Sequence, residues 1–233
     1  MNKNFNLLLG YNTKKQNYKI LFFHVPKCGG SSVCGILKNL IYKSFRANGN
    51  TSNEFGHISS YENFEQNKQR YLDASFVFGH FQFSIRKYFK NFVKMTSIRN
   101  PVDRSISHYN MLRNKKMIDG SVSIEDCFRK NLIPSNVITQ IFSCASNRDL
   151  TLNEKKLQKA KELLQNDIHF IFNTNDTNFI INKSISELDL PNFLYQNRQV
   201  SEMNFFDYNN KNLNVIKEHN LLFSKDLEKD KNV

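Results

Sequence analysis

No run in the 233-residue chain approaches the about 20 consecutive apolar residues that cross a bilayer. Its opening residues, MNKNFNLLLGYN, hold one three-leucine run, well short of the roughly 7–15-residue apolar core of a secretory signal. The expectation is a cytoplasmic protein with no membrane span. Cysteine is scarce: Cys28, Cys34, Cys127 and Cys144 stand far apart, with no C-x-x-C pair and no Cys/His spacing of a zinc site. Buried or loop thiols are expected, with neither a metal nor a disulfide framework in a reducing compartment. Only four prolines and eight glycines punctuate the chain, and it has no internal repeat and no Gly/Ser-rich linker. One domain over 1–233 is expected, with 1–17 a poorly defined N-terminal segment and 45–72 a polar insertion.

Acidic residues are also few, 21 against 33 Lys plus Arg, which leaves a net charge of +12. Such a balance attracts anions: nucleic acid, acidic glycans, nucleotides or a membrane surface. The basic residues are spread along the chain, and no RNA- or DNA-binding motif is recognisable, so no specific nucleic-acid partner is expected. What the chain does have is apolar bulk. Hydrophobic residues make up 39% and 21 residues are Phe, enough to close a core and to exclude a wholly disordered chain.

The order of elements is informative. Tyr18 to Val25 (YKILFFHV) is a short apolar run ending at Pro26, the pattern of a buried strand. PKCGGSS then turns the chain, and Val33, Ile36, Leu37, Leu40 and Ile41 recur at helical spacing, so a helix starts near Ser31 or Ser32. A polar stretch over about 44–69 reads as loop and irregular helix. Ser75 to Phe78 and Phe92 to Ile98 read as further strands, and Pro101 suits the first turn of the next helix. Helices are expected over 123–131, 134–145, 153–166, about 176–188 and from 212 to about 230, with a strand at Ile168 to Phe172. Strands alternating with helices argue an α/β fold, with a central, mainly parallel sheet flanked by helices. In such sheets ligands bind at the carboxyl ends of strands.

Three polar features fall at those ends. Pro26-Lys27-Cys28-Gly29-Gly30-Ser31-Ser32 joins strand to helix. Its glycines allow backbone N–H groups to approach an anion, the helix start adds partial positive charge, and Lys27, Ser31 and Ser32 add donors. By composition the same residues also suit a plain turn with a serine N-cap. Lys27 precedes the glycine pair, whereas a Walker A lysine follows its last glycine, and no Walker B-like aspartate closes a strand; a P-loop kinase is disfavoured. The second feature is Arg99-Asn100-Pro101, with Ser107 eight residues after Arg99; the guanidinium can fork onto a phosphate and the hydroxyl can join it. The third is Gly79-His80, an imidazole suited to taking a proton near neutral pH, or else a structural hydrogen-bonding group. His24 ends the first strand and could face the site, and His57 is a reserve base.

FFHVPKCGGSS resembles the 5′-phosphosulfate loop of sulfotransferases that use PAPS (3′-phosphoadenosine 5′-phosphosulfate). More specifically, it resembles the carbohydrate sulfotransferase branch that includes heparan sulfate 2-O-sulfotransferases and bacterial relatives. Arg99-Asn100-Pro101 with Ser107 is similar to that family's 3′-phosphate motif, and Gly79-His80 to its catalytic-base position. Looser likeness runs through SHYNMLRN (107–114), NVITQIFS (136–143) and IKEHNLLFSKDL (216–227). The resemblance implies a P-loop-like three-layer sandwich and transfer of a sulfuryl group to an acceptor hydroxyl, on a carbohydrate by preference, with 3′,5′-ADP as product. It implies Lys27 and His80 as catalytic residues. It implies Lys27, Cys28, Gly29, Gly30, Ser31, Ser32, Arg99 and Ser107 as binding residues, no metal, and 45–72 as a lid or acceptor-binding insertion. A non-catalytic nucleotide-binding module is the alternative, with a basic nucleic-acid-binding protein behind it. Basic residues over 84–94 and 113–116 either line a cleft for an acidic acceptor or form a solvated face.

Overall fold

The computed structural model describes residues 19–47, 55–144, 154–174 and 210–219. These fall into two compact units. One comprises the described residues up to Ile98 and from Glu162 to 174, the other those from Arg99 to Lys161 and 210–219. Neither is a continuous stretch, since the chain passes between them after Ile98 and again after Lys161.

The first unit is built on β1 (Ile20–Phe23), β2 (Phe55–Ile58), β3 (Phe76–Gly79), β4 (Val93–Ile98) and β5 (Phe170–Asn173). All four pairings are parallel, in the order β2-β3-β1-β4-β5, so the expected α/β fold with a central parallel sheet is observed. Strand β1 is buried throughout because both its faces are covered. Ile20 and Phe22 pack with Val33, Cys34 and Leu37 of α1 (Gly30–Ala47) and with Phe76, Met95, Phe170 and Phe172. Phe23 alternates to the other face, where its ring lies 5.1 Å from Phe81 and 4.7 Å from Phe83. At about 1.5–3 kcal/mol for each fully buried Phe, this central strand anchors the unit.

The observed β1 is shorter than the apolar run. Val25 donates its N–H back to the Phe23 carbonyl at 3.1 Å, and Cys28 donates to Val25 at 3.3 Å, so the turn begins before the apolar residues end. The larger difference is β2, which lies in the stretch read from sequence as loop and irregular helix. It has four residues, two of them Gly56 and His57, so no apolar alternation announces it. Its register with β3, Phe55 opposite Phe76 through Ile58 opposite Gly79, and the Tyr71 hydroxyl donating to the His57 carbonyl at 3.1 Å define it. Two short helices follow, α2 (Tyr61–Gln66), capped by Ser60, and α3 (Lys68–Asp73). Gly79 permits the close pairing of β3 with β2: a Cβ there would lie 2.1 Å from the Ile58 carbonyl oxygen.

The second unit contains α4 (Pro101–Asn114), α5 (Ile124–Arg129) and α6 (Val137–Phe142). Helix α7 (Glu154–Asp167) belongs partly to each unit, and α8 (Asn210–Glu218) to the second. Ile106, Tyr109 and Leu112 of α4, Ile124, Cys127 and Phe128 of α5, Ile133, and Ile216 of α8 form its core. Asn100 caps α4 by accepting the Val102 N–H at 2.9 Å, with Pro101 in the first turn as its fixed φ favours. The helix expected at 176–188 and the tail beyond 219 lie outside the described residues.

Candidate active site

Because the strands are parallel, their carboxyl ends share one edge of the sheet. His24 and the loop 26–29 follow β1, His80 follows β3, and Thr174 follows β5. The loop is sharply folded. Lys27 adopts a φ of 65° and Gly29 a φ of 73°, both left-handed. For a lysine that conformation costs about 1–2 kcal/mol, so the surrounding turn over-determines it. Helix α1 starts at Gly30, one residue earlier than the serine pattern suggests. Ser32 and Val33 donate their N–H groups to the Gly29 carbonyl, at 3.1 and 3.3 Å. The N–H groups of Gly29, Gly30 and Ser31 have no hydrogen-bond partner among the described residues. Three adjacent free donors at the start of a long helix have the chemistry to receive an anion. Ser31 is exposed, Ser32 and Lys27 half-buried, and Cys28 fully buried, so its thiol fills the turn. Cys34, one turn into α1, is pushed up to about 12 by burial and is not a nucleophile.

His80 is exposed, and its Nδ1 lies 2.6 Å from the main-chain carbonyl of His24. A carbonyl only accepts, so Nδ1 carries the proton, and in the neutral ring Nε2 holds the lone pair. The His24 ring stacks on the His80 ring, with centroids 4.3 Å apart and planes inclined by 30°. The edge of His24 meets the loop: a Cβ on Gly30 would fall 2.2 Å from His24 Cδ2 and 2.7 Å from Nε2. Only glycine leaves room there. Burial, reinforced by the neighbouring His80 and His57, lowers His24 to about 4, so its ring is neutral at physiological pH. His57, on β2, is exposed, and is lowered by desolvation, then by His80 and Lys38. Among the described residues no group of three His, Cys, Asp or Glu side chains could hold a metal ion.

Two more residues reach this edge, and the sequence did not single them out. Thr174 donates its hydroxyl to the Ile98 carbonyl at 3.0 Å, and its methyl group would lie 3.2 Å from a Cβ on Gly29. Ser97 Oγ is buried with no partner among the described residues, on the α1 face of β4 that Met95 also occupies. The usable signal for both was position at or beyond a strand end, the rule that also picked out His80.

In the second unit, the Arg99 side chain is half-buried, and its Nε has no partner among the described residues. Arg104, five residues on, is fully buried and donates to the Pro134 carbonyl at 2.8 Å, the pattern of a structural arginine. Ser107 lies two turns into α4, half-buried. Of the basic residues considered for a cleft, Arg86 is paired with Asp167, and Arg113 donates to the carbonyls of Asp119 and Gly120. Lys87 lies over the Tyr88 ring at 4.9 Å.

A family model described as the sulfotransferase family matches residues 11–180, most of the chain. The chain belongs to the sulfotransferase family. The match spans the glycine turn, Gly79-His80 and Arg99-Asn100-Pro101 alike. No curated protein matches it. The protein is therefore an enzyme that transfers a sulfuryl group, and among the described residues of this sulfotransferase no helix is long and apolar enough to cross a membrane.

The displaced histidine has a measurable consequence. An unfolded chain holds His24 near 6.5 and the folded sulfotransferase near 4, so between these values the unfolded state binds more protons. Its contribution to stability is complete above pH 6.5 and is lost as pH falls towards 4. At pH 5 the loss is at most about 2 kcal/mol, before solvent screening of a partly exposed ring is taken off. Denaturant midpoints at pH 7.5 and pH 5 should therefore differ by less in His24→Gln than in the unaltered protein.

Proposed function

We propose that the enzyme moves the sulfuryl group of PAPS to a carbohydrate hydroxyl by in-line transfer, releasing 3′,5′-ADP. The observation that carries this reading is the joining of two features at one sheet edge. The amides of Gly29, Gly30 and Ser31, without a partner among the described residues, have the chemistry to hold an anion, and His80, with its Nε2 lone pair, is tied to the same loop through His24. Arg99 Nε and the buried Ser97 Oγ, each without a partner among the described residues, also suit a ligand rich in phosphate oxygens.

When bound, PAPS supplies an activated sulfuryl group on a phosphate leaving group, through a loose transition state in which positioning and charge neutralisation dominate. His80 Nε2 takes the acceptor proton as the acceptor oxygen bonds to sulfur. Lys27 places its ammonium against the electron pair returning to the bridging oxygen as the S–O bond breaks. The amides of Gly29 to Ser31 and the hydroxyls of Ser31 and Ser32 hold the 5′-phosphate, with Cys28 packing beneath them. Arg99 and Ser107 take the 3′-phosphate and so select against ATP. No residue here is asked to hold a metal. The segment 45–72, of which the described part contributes β2 with His57, is assigned to the acceptor side as a lid or an acceptor-binding insertion.

The acceptor class is tested by incubating the enzyme with sulfur-labelled PAPS and a panel of neutral and acidic oligosaccharides, tyrosine peptides and simple phenols. Label is expected on oligosaccharide. Label on peptide or phenol alone would replace the carbohydrate acceptor, and binding of 3′,5′-ADP without transfer to any of them would favour a nucleotide-binding module.

A further inference from the structure

We infer that His24 is a positioning residue for His80: its ring is wedged between Gly30 of the glycine loop and the face of the His80 imidazole, and holds His80 against the main-chain carbonyl that fixes which nitrogen is bare. The inference deepens the proposed reaction and rests on it for the direction of the proton, but its geometry stands on three observations within the first unit. The main-chain carbonyl of His24 receives the Nδ1 proton of His80 at 2.6 Å. The two rings stack at 4.3 Å. The far edge of His24 abuts the first residue of α1 so closely that no side chain fits between them.

The arrangement has a chemical logic. A solvent-exposed neutral imidazole interconverts between two tautomers, and only one offers Nε2 as acceptor. The carbonyl selects that tautomer, but a single hydrogen bond leaves the ring free to swing about its own side-chain torsions. The His24 ring closes one face and restricts that swing. It must do so uncharged, because a second imidazolium stacked on His80 would oppose proton uptake there; burial keeps His24 neutral. The loop contact gives the arrangement a second use, since the ring that backs the base also sets its distance from the amides of Gly29 to Ser31.

The test uses the full chain with 15N-labelled histidine. In the unaltered protein, with its buffer at neutral pH, long-range 1H–15N spectra should show His80 with Nδ1 protonated and Nε2 bare. His24→Ala should bring Nε2-protonated His80 into the mixture and lower kcat by about 10–100-fold, with 3′,5′-ADP affinity changed by less than about threefold. His24→Phe, which keeps a flat uncharged ring, should restore both the tautomer and most of the turnover. Gly30→Ala guards against misfolding of the first variant: its methyl group displaces the His24 ring, so the His80 signal should shift in the same direction. An unchanged His80 tautomer in both His24→Ala and Gly30→Ala overturns the inference, whatever happens to turnover. Full turnover in His80→Gln would instead overturn the role of His80 as base, while leaving the tautomer prediction to stand or fall on its own spectra.

Discussion

Lys27→Ala should lower kcat by about a hundred- to a thousandfold while 3′,5′-ADP binds within about fivefold of the unaltered protein. In the proposed reaction the ammonium is matched to charge that appears on the bridging oxygen only as the S–O bond opens, whereas the product's phosphates are assigned to other groups. The backbone supplies a control. Lys27 sits at a φ of 65°, a conformation that alanine also resists and glycine does not. Lys27→Gly should therefore be more stable than Lys27→Ala by about 1 kcal/mol and just as inactive. Single-turnover rates, calorimetry and denaturant midpoints on the three proteins separate the two effects. Recovery of activity in the glycine variant would make Lys27 a structural residue and end its assignment to the leaving group.

His80→Gln should lower kcat by about 10²–10⁴-fold with little change in 3′,5′-ADP affinity. Glutamine keeps an amide N–H donor on a flexible side chain but has no nitrogen lone pair to receive the acceptor proton. His57→Gln is the informative comparison. His57 feels the charge of His80 and shares its end of the sheet, but lies on β2, exposed, with its ring against Phe78 at 5.0 Å. The larger loss should fall on His80; if it falls on His57, the base is the residue from β2.

Local order carried a good part of this molecule. The apolar run before Pro26, the glycine pair and the helical spacing after it are each set by neighbours in sequence, and they appear as β1, the turn and α1. The same is true of Arg99-Asn100-Pro101, where an Asn cap and a first-turn proline start α4. What was hidden depends on distant partners. Strand β2 has no alternation of its own, and takes its conformation from pairing with β3 and from Tyr71 fourteen residues away. The sheet order β2-β3-β1-β4-β5 is a property of the packed layers, not of any one segment. The contact of His24 with His80 joins residues 56 apart, so the sequence could offer His24 only as a histidine near a strand end. The exact amide set of the loop was hidden too. Ser32 turns its N–H onto Gly29, while Gly29, Gly30 and Ser31 have no partner among the described residues.

In the proposed reaction the enzyme binds a nucleotide bearing phosphates at both 5′ and 3′ positions, with Arg99 needed for the second. Calorimetric titration with 3′,5′-ADP, ATP and 5′-AMP, on the unaltered protein and on Arg99→Ala, tests it most directly. 3′,5′-ADP should bind at least about tenfold more tightly than the other two. The preference should disappear in Arg99→Ala, which loses the about 1.5–3 kcal/mol of a charge-assisted contact. Equal affinity for all three nucleotides, or a preference for 3′,5′-ADP that survives Arg99→Ala, would contradict it.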